Sequence, residues 1–169
     1  NPKVQSNLIM ENFKPFGLVL STVFVDHPEV LSHFRPDEII KLNFSPPECS
    51  FFMSDKHLAH VGSLKFLRSI NLFNCRSITD QGLSNLNALQ NLTELNAGSV
   101  RNLSGDGFAR LAGLKRLETL HVEHLGSVTA MLRALQGSTS LTTLGVRQSD
   151  VNDQDCRLIG TLTSLVSLD

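Results

Sequence analysis

Residues 67–83 read LRSINLFNCRSITDQGL, and residues 92–108 read LTELNAGSVRNLSGDGF. Laid over one another, Leu67 on Leu92, the two stretches share aliphatic residues at the first, fourth and sixth places: Leu67/Ile70/Leu72 and Leu92/Leu95/Ala97. Outward from this pair the pattern continues. LETLHVEHLGSVTAML (117–132) follows at the same spacing, with Leu117/Leu120/Val122. LTTLGVRQSDVNDQDC (141–156), with Leu141/Leu144/Val146, and LVSLD (165–169) follow at a spacing shorter by one. Toward the N-terminus, Ile39/Leu42/Phe44 and, before it, Leu20/Val23/Val25 are degenerate copies at irregular spacing. A period of roughly 25 residues marks an array of small units, none of which can bury its apolar face without a neighbour.

Within one unit the pattern changes period. The L-x-L part alternates and predicts a short strand with its aliphatic residues inward. Behind it, Ser54, Thr79, Ser104, Thr129 and Asn152 each follow an aliphatic residue. Their side-chain oxygens suit helix N-caps, where the first-turn amides lack partners. Asp55, Asp80, Asp106 and Asp153 follow closely, where negative charge suits the helix dipole. Leu83/Leu86/Leu89, Phe108/Leu111/Leu114 and Cys156/Ile159/Leu162 form one apolar stripe per helix. Each unit is strand, turn, helix. Stacked, the units predict an α/β solenoid with a concave parallel sheet and convex helices.

The 169 residues suffice for one domain with a sizeable core, and 41% apolar with 18% charged residues is a globular composition. A net charge of −1 argues against nucleic acid and anionic lipid as partners. The longest apolar run, FGLVLSTVFV (16–25), is half of the ~20 residues that span a bilayer. It also lacks the basic flank and cleavage site of a signal peptide. Three widely spaced cysteines, Cys49, Cys75 and Cys156, suit a reducing compartment, and an intracellular location is expected. We divide the chain into 1–38, a degenerate N-terminal repeat or cap, and 39–169, the repeats. The chain stops inside a strand that has no helix after it, leaving Leu165 and Leu168 without cover. Asp169 is therefore not expected to be a natural free end.

The motif L-x-x-L-x-L-x-x-C-x-x-I-T-D-x-G-L, matched throughout by residues 67–83, resembles the cysteine-containing leucine-rich repeats. The resemblance covers roughly residues 39–169. It implies the leucine-rich-repeat fold, and a likeness to the substrate-recognition arrays of F-box ubiquitin-ligase subunits. Residues 1–38 do not look like an F-box. Later copies replace the cysteine by Val100, Leu125 and Ser149, so Cys75 reads as a packing position. Cys156 shares the column of Leu83, Phe108 and Leu132 and is expected in the core. Cys49, in the insertion SPPECS, is the expected exposed thiol.

No catalytic constellation emerges, and no enzyme, metal or cofactor is expected. His121, Glu123 and His124 cluster around one strand, but no cysteine or acidic group completes a ligand set. His57 and His60, three apart on a helix, read as a surface pair. Gly105 and Gly107 fit a repeat turn rather than a phosphate loop. The three sequons at Asn43, Asn91 and Asn102 read as products of Asn-rich turns. The strand register places Phe73, Asn71, Glu94, Asn96, His121, Glu123 and Arg147 on the concave face, with Lys41, Asn43, Ser45, Ser69, Gly98, Thr119, Thr143 and Gly145 beside them. Phe73 is a large apolar group at an outward position, and Glu123 and Arg147 are neighbours suited to a surface ion pair. The expected function is a non-catalytic protein-interaction module or scaffold subunit. Its partner would be another protein held on the concave face, with no small-molecule substrate evident. The alternatives are the substrate-recognition part of an F-box-type ligase, a GTPase-regulating array and an extracellular receptor fragment.

Overall fold

The computed structural model describes residues 16–19, 22–45 and 50–169. Seven strands form one parallel sheet in strict chain order: β1 (Phe16–Val19), β2 (Ile39–Asn43), β3 (Ser69–Asn71), β4 (Glu94–Ala97), β5 (Thr119–Glu123), β6 (Thr143–Arg147) and β7 (Ser167–Leu168). Between them run α1 (Thr22–Asp26), α2 (Asp55–Val61), α3 (Asp80–Leu83), α4 (Gly105–Ala109), α5 (Thr129–Leu135) and α6 (Asp153–Gly160). A 3-10 turn extends α3 over Ser84–Ala88 and α4 over Arg110–Gly113.

The aliphatic ladder is the core. Leu42, Ile70, Leu95, Leu120 and Leu144 pair in register across β2–β6 and are all buried. Leu83, Leu86 and Leu89 face them from the helix layer and are fully buried. Each of β3–β6 is followed by a left-handed residue: Asn74, Ser99, His124 and Gln148, with φ of 64°, 58°, 58° and 52°. The recurrence of this uncommon conformation shows that one turn geometry is reused in four repeats.

Two expectations about the early and late repeats change. Leu20/Val23/Val25 is not a strand copy: the strand is Phe16–Val19, and Thr22–Asp26 is helical. Leu20 lies outside the described residues. Phe24 from α1 is buried with its ring 5.5 Å from that of Phe44, so this segment packs as a cover over the first repeat. The stripe Cys156/Ile159/Leu162 is only partly used. Leu162 is buried, Ile159 half-buried and Cys156 exposed. Residue identity placed Cys156 in an inward column, but burial in a solenoid needs a neighbour, and no helix follows α6 among the described residues.

The cap column does more than terminate helices. The Thr79 amide and hydroxyl both donate to the Asp55 carboxylate, at 2.9 and 2.7 Å. Ser104 repeats this on Asp80, at 2.9 and 2.6 Å. These aspartates bind one repeat to the next rather than serving only the dipole. Position 105 is glycine, so the ladder has no carboxylate there. Thr129 turns the other way and donates to Asp155 at 2.6 Å. Thr129 is also the first residue of α5 and not its cap, a place taken by Val128. Thr79, Ser104 and Asn152 cap as expected, each accepting from first-turn amides.

Cys75 is fully buried, with its thiol 3.9 Å from the Phe44 and Phe73 carbonyl oxygens. Cys75→Ala is expected to cost about 1–2 kcal/mol, the scale of a small core truncation. Urea melts monitored by circular dichroism measure it, and an unchanged midpoint would contradict the packing role. Cys49 lies outside the described residues.

Candidate interaction surface

The concave face is built from the outward residues of β2–β6. One row across the sheet is Lys41, Ser69, Glu94, Thr119 and Thr143, and the next is Asn43, Asn71, Asn96, His121 and Gly145. Lys41 reaches across Ser69 to Glu94 at 3.9 Å, a long exposed pair of small energetic weight.

The asparagine row has a backbone task. The Oδ1 atoms of Asn43, Asn71 and Asn96 each accept from the amide two residues on, at 3.0 Å, in Ser45, Phe73 and Gly98. Each closes the strand-to-turn corner, as short Asx side chains do. For Asn71 and Asn96 the sequence supplied position but not this use.

Phe73 and His121 share another device. A Cβ built on Gly98 would lie 3.0 Å from Phe73 Cδ2, and one on Gly145 would overlap the His121 ring. Both rings lean over a glycine of the following repeat, so a large side chain shields a bare stretch of backbone. Phe73 remains 39% exposed. It therefore packs on its neighbour and still presents an aromatic surface.

Glu123 accepts from the Ser99 hydroxyl at 3.0 Å and lies beside Gly98. The expected Glu123–Arg147 ion pair is not formed. Arg147 pairs with Asp169, whose hydrogen bond and then charge favour the protonated guanidinium. Register alone put Glu123 and Arg147 side by side, but an opposite charge in hydrogen-bonding geometry outcompetes one that is only adjacent. His124 is exposed at a left-handed turn position, and His121 is half-buried. Among the described residues no group of three or more His, Cys, Asp or Glu could hold a metal ion.

His57 departs from expectation. It is buried, and its Nδ1 accepts from the Ser54 amide at 3.0 Å. That fixes the neutral ring as the tautomer whose Nε2–H donates to the Val25 carbonyl, also at 3.0 Å. It ties the N-terminal cover to the first repeat and has no surface partner in His60. Two sequon asparagines are similarly occupied. Asn91 Nδ2 donates to the Lys65 carbonyl and Asn102 Nδ2 to the Arg76 carbonyl, each one repeat earlier.

Behind the sheet, a cavity of about 120 Å³ opens between the 3-10 turn at Arg110–Gly113 and the loop after α5. Leu111, Leu114, Leu117 and Leu135 line it. It falls where the repeat shortens by one residue, between Leu117 and Leu141, so the shorter return loop covers less of the preceding core. The aromatic groups that sequence reasoning passed over are Phe51, Phe52 and Phe66, which are 51%, 62% and 52% exposed. All three lie outside the strand register that was used to find outward residues. No helix among the described residues is long and apolar enough to cross a membrane.

No protein-family model matches the chain, and no curated protein matches it. Among solved structures it is similar to an internalin, inlF, from Listeria monocytogenes, with a TM-score of 0.54 and 18% identity over 90% of this chain. It spans 38% of that internalin's length. Internalin C2 of the same organism aligns over 78% of this chain and 61% of its own, with a TM-score of 0.45 and 18% identity. Likeness at this level of identity is a likeness of fold. Together with the seven-stranded parallel sheet in chain order, it establishes the chain as an α/β leucine-rich-repeat solenoid.

Proposed function

We propose that the chain is a non-catalytic protein-binding module that receives its partner on the concave face, around Phe73, His121, Glu123 and Arg147. The observation that carries this reading is Phe73, an aromatic ring held in place over Gly98 yet 39% exposed on an otherwise polar face. Ordered aromatic groups with a polar surround are what binding hot spots use. The asparagines at 71 and 96 serve as scaffold for that face and contribute little direct contact. An intracellular protein partner fits the odd, widely spaced set of three cysteines. The match of residues 67–83 to the cysteine-containing repeat motif supports a narrower form, the substrate-recognition array of an F-box-type ligase. Binding of a longer chain to the ligase adaptor would test that form.

The test of the main reading is quantitative co-purification from source-cell extract. Phe73→Ala and the double substitution His121→Ala/Glu123→Ala are expected to reduce the captured partner at least about tenfold, the effect of truncating a hot spot. Lys115→Ala, in the turn leading into β5, is expected to leave capture unchanged. Melting of all variants should stay within about 1 kcal/mol of the parent, because none of these side chains belongs to the buried core. Capture lost only with substitutions on the helix side would overturn the concave-face reading.

A further inference from the structure

Two of the aromatic groups that escaped the strand register, Phe51 and Phe52, lie together on one edge of the solenoid. Phe51 and Phe52 precede α2, in the turn that follows β2. An isolated parallel bridge joins Ser54 to Ser77, so this turn lies alongside the one that follows β3. In the second turn, the Arg76 guanidinium carbon sits 5.6 Å from the centre of the Phe51 ring. Arg76 Nε donates to Asn74 Oδ1 at 2.8 Å. The cation–π contact and the hydrogen bond together hold the guanidinium beside Phe51. Its terminal nitrogens make no hydrogen bond among the described residues, so a two-pronged donor faces outward.

The charge around it has one sign. Residues 50–54, 72–78 and 97–103 contain Arg76 and Arg101 and no carboxylate. Both arginines are exposed, one repeat apart on the same edge. The nearby aspartates Asp55 and Asp80 are already engaged by Thr79 and Ser104. Phe51 and Phe52, each more than half exposed, thus adjoin a cation that makes no ion pair among the described residues.

We propose that this edge is a docking site for an extended acidic segment of a partner protein. An aromatic or large aliphatic side chain of the segment would lie on Phe51 and Phe52, with a carboxylate on Arg76 and a second near Arg101. The proposal rests on the protein-binding reading and adds the chemistry of the partner and a second contact region beyond the concave floor. Charge decides among occupants. A phosphate backbone or an anionic lipid surface is held by many basic groups in a stripe or cluster, whereas this edge offers two arginines on a chain of net charge −1. An apolar pair followed along the edge by two cations matches a short extended peptide in which an apolar residue is followed by acids.

The probe is a displayed library of random peptides, selected on the purified chain and read back against variants. Enrichment of peptides with an aromatic or aliphatic residue to one side of a pair of acids is expected. Their affinity should fall at least about tenfold on Arg76→Ser and on Phe51→Ser/Phe52→Ser. Phe66→Ser serves as control, being equally exposed but in the turn that enters β3 at the opposite edge; it should bind as the parent does. Selection of peptides without acids, or equal binding to parent and edge variants, overturns the proposal. Phosphatidylserine vesicles that bind the parent and not Arg76→Ser would overturn it in favour of a lipid surface, and single-stranded DNA with that behaviour in favour of nucleic acid. The two readings fail separately. Peptides lost on the His121/Glu123 double variant but retained on the edge variants would sink the edge site and leave concave-face binding standing.

Discussion

Phe44→Ala is expected to lower the unfolding free energy by about 3–5 kcal/mol, the range seen when a buried phenylalanine is truncated in a core that cannot collapse. Phe44 is fully buried one residue beyond β2, its ring tilted at 47° to Phe24. Its amide donates to the Asn71 carbonyl at 2.9 Å, so the backbone is pinned to the next repeat and cannot move in to fill the space. Phe24 would lose its ring partner on one side while keeping His57, 5.6 Å away, on another. The cover formed by α1 should then open with the first repeat rather than independently of it. A urea melt gives the loss. Hydrogen exchange of the amides across 22–45 shows whether the cover goes with it. A change below about 1 kcal/mol would mean that the Phe24–Phe44 contact does not hold the cover down.

The second large effect concerns glycines that look interchangeable with alanine. Gly105 and Gly107 lie in the first turn of α4 and Gly82 in α3, where helix propensity alone favours alanine by up to about 1 kcal/mol. Packing reverses the sign. A Cβ on Gly107 would overlap the Asp80 carboxylate, and one on Gly82 would overlap the Asp55 carboxylate and lie 2.9 Å from its Cα. Each aspartate would have to give up the two bonds that tie it to Ser104 or Thr79. On Gly105 the Cβ would overlap the Ser127 backbone carbonyl, which no side-chain rotation can relieve. Alanine at 105 or 107 is therefore expected to destabilise by about 2–4 kcal/mol, by overpacking at both and, at 107, by loss of the charge-assisted hydrogen bonds of Asp80 as well. The cause is separable by a double-mutant cycle. In a Gly107→Ala background, Asp80→Ala should cost much less than it does alone, because the carboxylate is already displaced. Additive losses, or a gain from alanine at 107, would remove the inter-repeat role of Asp80.

Much of this architecture is legible in residues 67–83 and their copies, because a solenoid repeats one local solution. Period-2 alternation over Ser69–Asn71, a Thr79 cap and the Leu83/Leu86/Leu89 stripe are each set by nearby residues, and all three appear where the period puts them. Cys75 was readable as core from its replacement by Val100 and Leu125, both of which are buried. The placement of Asn71, Phe73, Glu94, Asn96, His121, Glu123 and Arg147 followed from strand register, which is also local.

What the sequence by itself determined is thus the repeat unit, its strand and helix, and which side chains point in or out of the sheet. Tertiary structure alone decided what those side chains meet. Cys156 has an inward identity, but among the described residues no following helix packs against it, and burial is a property of the pair, not of the residue. Glu123 and Arg147 are neighbours by register, yet Arg147 goes to Asp169, since ion pairing depends on side-chain reach and competing partners. His57 looked like a surface residue until α1 brought the Val25 carbonyl to its ring from 32 residues away. The Phe51–Arg76 cation–π contact is the same kind of case: two turns from successive repeats, placed edge to edge only because the repeats stack in register.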